Sequence, residues 1–287
     1  MGLGRLAAAA LLGMGVLVGG AARAATAEAE AALEMGIFPY LSVRTLMEKY
    51  QPLRDHLAKA LGRPVQLVTA PDFRGFVART QVGQYQMVIT APHFARMAQR
   101  QAGYKPLLQP VNPLRGVFLV SAAAAPQSLK DLKGMSVATP DRLAVVTALG
   151  EEALSAAGLS VPAEVTIEPQ PSHNAALQAV LRGLAGAALV SHYIHLQLPD
   201  DIRGRLRAIG ETAELPAPMV ILTGPGVSDA QAEIIRAAVL DFAERTPEGR
   251  AFMETTRLGA WEFPSESEMQ ELDRYLPALQ RALAERP

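Results

Sequence analysis

Histidines, one arginine at a predicted helix start, and a few tyrosines and threonines are the residues here whose types and spacing suit chemistry. His192 and His195, in the run SHYIH, lie three apart, so on a helix they share a face. With His173 or Tyr193 they outline a metal or haem site, but without a third carboxylate or thiolate ligand it is incomplete, and no metal or other cofactor is assigned. Hydrolytic and nucleotide motifs are missing. There is no G-x-S-x-G elbow, no G-x-x-x-x-G-K-S/T loop and no G-x-G-x-x-G between a strand and a helix. No carboxylate pair is placed for acid/base work, so the chain is not expected to be an enzyme.

What remains is a set of predicted helix starts. The first four N–H groups of a helix lack internal partners and the macrodipole adds partial positive charge, so such ends favour anions. Candidates fall at Tyr40 after Pro39, at Thr90 to His93 around Pro92, at Thr139 to Ala144, and at Ser172-His173. Arg142 has two readings, a planar fork of donors for carboxylate or phosphate oxygens and an exposed first-turn residue. His93 either contacts a ligand or caps its own helix, and Tyr40 either walls a cleft or packs under its turn. His192 and Tyr193 are non-metal cleft candidates at a strand end. Since Leu143, Ala144 and Val145 offer no side-chain hydrogen bonds, a ligand with one charged end and an apolar body fits this stretch best.

The elements that must position these residues follow from periodicity. Apolar runs such as QMVIT, GVFLVSA, MSVAT and AALVS alternate with helical segments, among them Phe73 to Gln81, Pro92 to Gln101, Arg142 to Ala157 and Asn174 to Leu181. Continuous apolar strands alternating with helices indicate mostly parallel sheets covered on both faces. Leu46, Tyr50, Leu53, Leu57 and Leu61 are helically spaced, with Pro52 expected to open the second of two consecutive helices. Two α/β series are joined by two crossing segments. Residues 30–121 and 218–287 form one lobe and 122–217 the other, with a cleft between. Two C-terminal helices, Asp229 to Glu244 and Glu266 to Ala284, are placed on the first lobe.

Composition narrows the partners. The 27 Lys and Arg balance 28 Asp and Glu with no long run of one sign, which leaves no footprint for nucleic acid. Residues 1–24 read as an export signal: a basic start, an apolar run too short to span a bilayer, and AARA as the cleavage site. Cysteine is absent, which removes disulfides, thiol chemistry and a lipidated cysteine together. The mature chain is expected to be a soluble periplasmic monomer.

The stretch LEMGIFPYLSVRTLMEKYQPLRDHLAKALGRPVQLVTAPDFRGFV resembles the N-terminal lobe of the PhnD-like family of phosphate, phosphite and phosphonate-binding proteins. The resemblance continues through SLKDLKGMSVATPD, SHNAALQAVLRG and TPEGRAFMETTRLGAWEFP, covering nearly the whole mature chain. It implies a type II two-lobe binding fold, a small-molecule ligand taken up between the lobes, and an ABC permease as partner. A membrane sensor kinase is the alternative partner. The chain departs from the family at the ligand. Where the family has Ser-Thr-Ser-Gly to grip phosphonate oxygens, this chain has Arg142-Leu143-Ala144-Val145, and the acidic positions for an ammonium group hold Tyr193 and Ala217. Gln86 and Gly186 replace the family's strand-start aspartates, and His173 is retained. With the hydroxyl cradle gone, 2-aminoethylphosphonate is expected to produce no rise in melting temperature, as a thermal-shift titration would show.

Overall fold

The computed structural model describes residues 32–285; the export signal lies outside them. The chain begins with β1 (Leu33–Ile37) and enters α1 (Val43–Leu61), where the Ser42 side chain accepts the Thr45 N–H and Gly62 closes the helix in the left-handed conformation. The expected break at Pro52 does not occur. A proline inside a helix forfeits one hydrogen bond, at about 3 kcal/mol, but Leu46, Tyr50, Leu53 and Leu57 form one buried stripe whose packing carries the helix through. Then come β2 (Val65–Val68), α2 (Phe73–Gln81), β3 (Met87–Thr90), α3 (Pro92–Ala102) and β4 (Lys105–Pro110).

The second lobe starts earlier than the sequence suggests. Strand β5 (Gly116–Ser121), assigned above to the first lobe, is hydrogen-bonded in the second sheet. After it follow β6 (Ser136–Thr139), α4 (Val145–Ala156), β7 (Thr166–Pro169), α5 (His173–Leu181), β8 (Ala187–Ser191), the short helices α6 (His192–Leu196) and α7 (Asp200–Arg203), and β9 (Leu206–Glu211). Helix α4 begins three residues later than expected. Asp141 intervenes: its Oδ1 accepts the Leu143 N–H at 2.8 Å and its carbonyl the Ala144 N–H at 2.8 Å, so Arg142 and Leu143 sit in a turn.

The chain returns through β10 (Val220–Thr223) and ends in α8 (Asp229–Arg245), α9 (Pro247–Thr256), β11 (Trp261–Glu262), α10 (Glu266–Glu271) and α11 (Leu276–Ala284). The single helix expected over Glu266 to Ala284 is broken by a 3-10 turn at Leu272–Tyr275. Pro277 has no N–H to donate back across it. Among the described residues no helix is long and apolar enough to cross a membrane.

Both sheets are mixed, and they share one plan. The first runs β11-β4-β10-β3-β1-β2, the second β7-β6-β8-β5-β9. In each, three neighbouring strands are parallel, and the first strand after a crossing, β10 or β5, inserts antiparallel beside them. The crossing segments meet in a two-residue antiparallel bridge, Leu114 and Leu215 exchanging N–H···O bonds of 2.8 Å each.

Helix α4 is drawn tightly onto the second sheet. A Cβ at Gly150 would lie 2.0 Å from Leu189 Cδ2, and a Cβ at Gly116 would lie 2.8 Å from Leu189 Cδ1. Leu189 is completely buried between these two glycines, so neither methyl has room to swing away. Alanine is better than glycine in a helix by about 1 kcal/mol, whereas overpacking costs about 1–3 kcal/mol. Gly150→Ala is therefore expected to destabilise the protein despite its higher helix propensity, which urea denaturation would measure.

Candidate functional site

Between the lobes lies a cavity of about 70 Å³. Its first-lobe wall is aromatic: Phe38 stacks on Tyr40 with ring centroids 4.6 Å apart, Phe73 follows at 6.1 Å from Phe38, and Phe94 meets Phe73 edge-on at 5.6 Å. The second lobe contributes Ala144, Val145 and Val146 from the start of α4, with His173, Ser191, Tyr193 and Ile194. Leu143 to Val146 are buried in the same apolar cluster as the first lobe's core, so the start of α4 is the seam along which the lobes close.

Two helices aim their first turns here without a side-chain cap. α3 and α4 have alanines at the N-cap, Ala91 and Ala144, and neither has a capping side-chain hydrogen bond. By contrast α1, α2, α5, α8 and α9 are capped by a serine, aspartate or threonine. Forgoing such a cap costs about 0.5–2 kcal/mol. Among the described residues the N–H groups of Val145 and Val146 have no backbone or side-chain acceptor, and Ala91, Ala144, Val145 and Val146 all lie on the cavity wall. The uncapped ends thus coincide with the cavity.

The one side-chain cation on the wall among the described residues is Lys49, on the edge of the buried stripe of α1. It is half-buried, its Nζ stands 6.0 Å from the centroid of the Tyr40 ring, and among the described residues no carboxylate pairs with it. Burial pushes its pKa down to about 8, because desolvation penalises the charged form. Sequence reasoning missed Lys49. The available signal was its position three residues after Leu46 and four before Leu53, which places it against an apolar face rather than opposite one.

Three residues singled out from sequence meet at the cavity: Tyr40, His173 and Tyr193. Tyr40 and Tyr50 hydroxyls are 3.0 Å apart, and burial raises the Tyr40 pKa to about 12. Tyr193 donates to the carbonyls of Asn112 and Pro113, at 3.1 and 3.2 Å, tying α6 to the first crossing segment. His173 Nδ1 accepts the Ser191 N–H at 3.3 Å, which leaves the ring proton on Nε2, and burial pulls its pKa down to about 4. It is a neutral donor at pH 7.

The other five lie elsewhere. Arg142 is exposed and lines a separate outer groove of about 610 Å³, with Asp72 and Arg74 across from it. Its turn before α4 points it away from the cavity that Ala144 and Val145 face, so the structure does not bring the guanidinium to that wall. His93 is buried and its Nε2 donates to the Leu143 carbonyl at 2.7 Å across the lobe seam. Burial depresses its pKa to about 4, so it stays neutral. Thr90 and Thr139 are fully buried off the wall, Thr139 Oγ1 donating to the Pro140 carbonyl at 3.0 Å. His192 turns to the hinge side, its Nδ1 3.2 Å from the Arg115 carbonyl. Among the described residues no three His, Asp or Glu gather where they could hold a metal ion.

This geometry has counterparts. Residues 35–269 match the family model described as ABC transporter, phosphonate, periplasmic substrate-binding protein. The chain belongs to this family. It is similar in fold to a binding protein component of an ABC phosphonate transporter from Pseudomonas aeruginosa, with a TM-score of 0.75 at 15% identity over 88% of this chain and 89% of that one. It is also similar to a Prochlorococcus marinus protein in complex with methylphosphonate, with a TM-score of 0.74 at 14% identity over 86% and 98% of the two chains. A Xanthomonas citri protein bound to chloride gives 0.69 at 18% identity over 87% and 98%. The expected type II two-lobe α/β architecture is thus the observed one, and the family is one of solute-binding proteins, not enzymes.

Lys49 links the site to stability. In the native state it titrates near 8, in the unfolded chain near 10.4. Between these values the unfolded state holds the extra proton, so stability rises with pH across that window and the penalty is fully present below it. Lys49→Met is expected to be more stable than wild type at pH 7, with the advantage fading towards pH 10, as paired urea titrations at the two pH values would show.

Proposed function

We propose that this family member is exported, captures a small anionic solute between its lobes and presents it to an ABC permease. The lobes turn about the bridge between Leu114 and Leu215, and closure seals the solute behind the start of α4. The leader pattern of residues 1–24 and the periplasmic description of the family support export.

The observation that carries this reading is Lys49, a cation on the wall of an apolar cavity with no carboxylate paired to it among the described residues. An unpaired, partly desolvated charge is costly, and a bound anion offsets that cost best when the lobes are closed around it. The uncapped starts of α3 and α4 add backbone N–H groups and the positive ends of two helix dipoles to the same space. Ligand binding thereby favours the closed form by differential affinity, which is what a permease must recognise.

Native mass spectrometry of protein purified from a periplasmic extract tests this. Wild type is expected to carry a small anion that Lys49→Met has lost, while Arg142→Ala retains it. Wild type with no bound mass, or Lys49→Met with undiminished occupancy, would count against the proposal.

A further inference from the structure

We propose that the interlobe cavity selects a small organic monoanion, a monocarboxylate with a short apolar chain, over dianions and over the tetrahedral heads of phosphonates and sulfonates. The inference rests on the cavity being the solute site.

Three features of the wall point to it. The first is charge. Lys49 is the single side-chain cation there among the described residues, and His173 is kept neutral by Ser191 and by burial. The desolvation cost of an ion grows with the square of its charge, so a dianion entering this apolar space faces about four times the penalty of a monoanion. One ammonium offsets one charge.

The second is the supply of hydroxyls. Tyr40 is engaged with Tyr50, Tyr193 with the carbonyls of Asn112 and Pro113, and Thr256 with the Phe252 carbonyl at 2.7 Å. Lys49 Nζ, His173 Nε2, the Ser191 hydroxyl and the Gln197 amide remain as side-chain donors, a set that covers the two oxygens of a carboxylate with a single charge among its members. A doubly charged head would set its second charge against neutral donors alone.

The third is shape. The aromatic array of the first lobe faces Val145, Val146 and Ile194 of the second, so the remainder of the ligand meets carbon on both sides. At about 70 Å³ the cavity is smaller than the roughly 150 Å³ engineered cavity that accepts benzene, which restricts the apolar part to a few carbons.

Calorimetry at pH 7 with butanoate, acetate, propylphosphonate and propanesulfonate tests the assignment on wild type and Lys49→Met. Butanoate is expected to bind at least tenfold more tightly than propylphosphonate or propanesulfonate. It should exceed acetate by about 15-fold, the worth of two buried methylenes. Lys49→Met should weaken butanoate by about 10- to 150-fold, the range for a charge-assisted hydrogen bond. Propylphosphonate or propanesulfonate equalling butanoate overturns the assignment of the head group, and acetate equalling it overturns the apolar body. In either case Lys49-dependent binding leaves the solute-binding function standing. No binding of any of the four to wild type overturns the assignment, and the function itself falls only if native mass spectrometry also finds no bound anion.

Discussion

A half-buried lysine ammonium, without a carboxylate partner among the described residues, is the constraint on which the interlobe cavity depends. Proteins bury lysine rarely, and usually pair it. Lys49 stands instead beside the Tyr40 ring, at the edge of a helix stripe that also holds the first lobe together. Its pKa near 8 measures the imbalance, which an anion from outside would correct. The adjoining helix starts share this character. Each leaves N–H groups uncapped where a serine or aspartate would have satisfied one of them.

The seam between the lobes shows how such a site is kept dry. Leu143 to Val146 carry apolar side chains and enter the first lobe's apolar cluster. One polar contact crosses with them, His93 Nε2 to the Leu143 carbonyl, and it fixes the turn that precedes α4. A contact made by a neutral imidazole does not vary with pH near neutrality. Behind the cavity, Tyr193 and His192, their ring centroids 4.0 Å apart, tether α6 to the crossing segment.

Much of the architecture was legible in the sequence because burial writes a simple code. The apolar runs of β3, β5, β6 and β8 and the bounds of α2 follow from periodicity alone. What escaped were features decided by tertiary partners. Pro52 reads as a helix start, yet the packed stripe around it continues the helix. Arg142 reads as the donor at the start of α4, yet the Asp141 side chain captures the Leu143 N–H and moves the start to Val145, leaving Arg142 outside. GVFLVSA reads as a strand equally well in either lobe, since sequence does not reveal which sheet a crossing strand joins. Lys49 looks like an ordinary lysine flanking an apolar face, and only the tertiary structure places it on the wall of the interlobe cavity.

The insertion of β10 between β3 and β4 has a consequence for how the chain acquires its structure. The second lobe is a single continuous segment from β5 to β9, and its sheet is complete once residue 211 has been made. The first lobe has no such independence. Its sheet has a missing middle strand until residues 220–223 arrive from more than a hundred positions downstream. Such distant pairing carries a large loop-closure entropy and is slow to form. The sheet begun by the N-terminal third of a growing chain therefore lacks its connecting strand during most of the chain's synthesis.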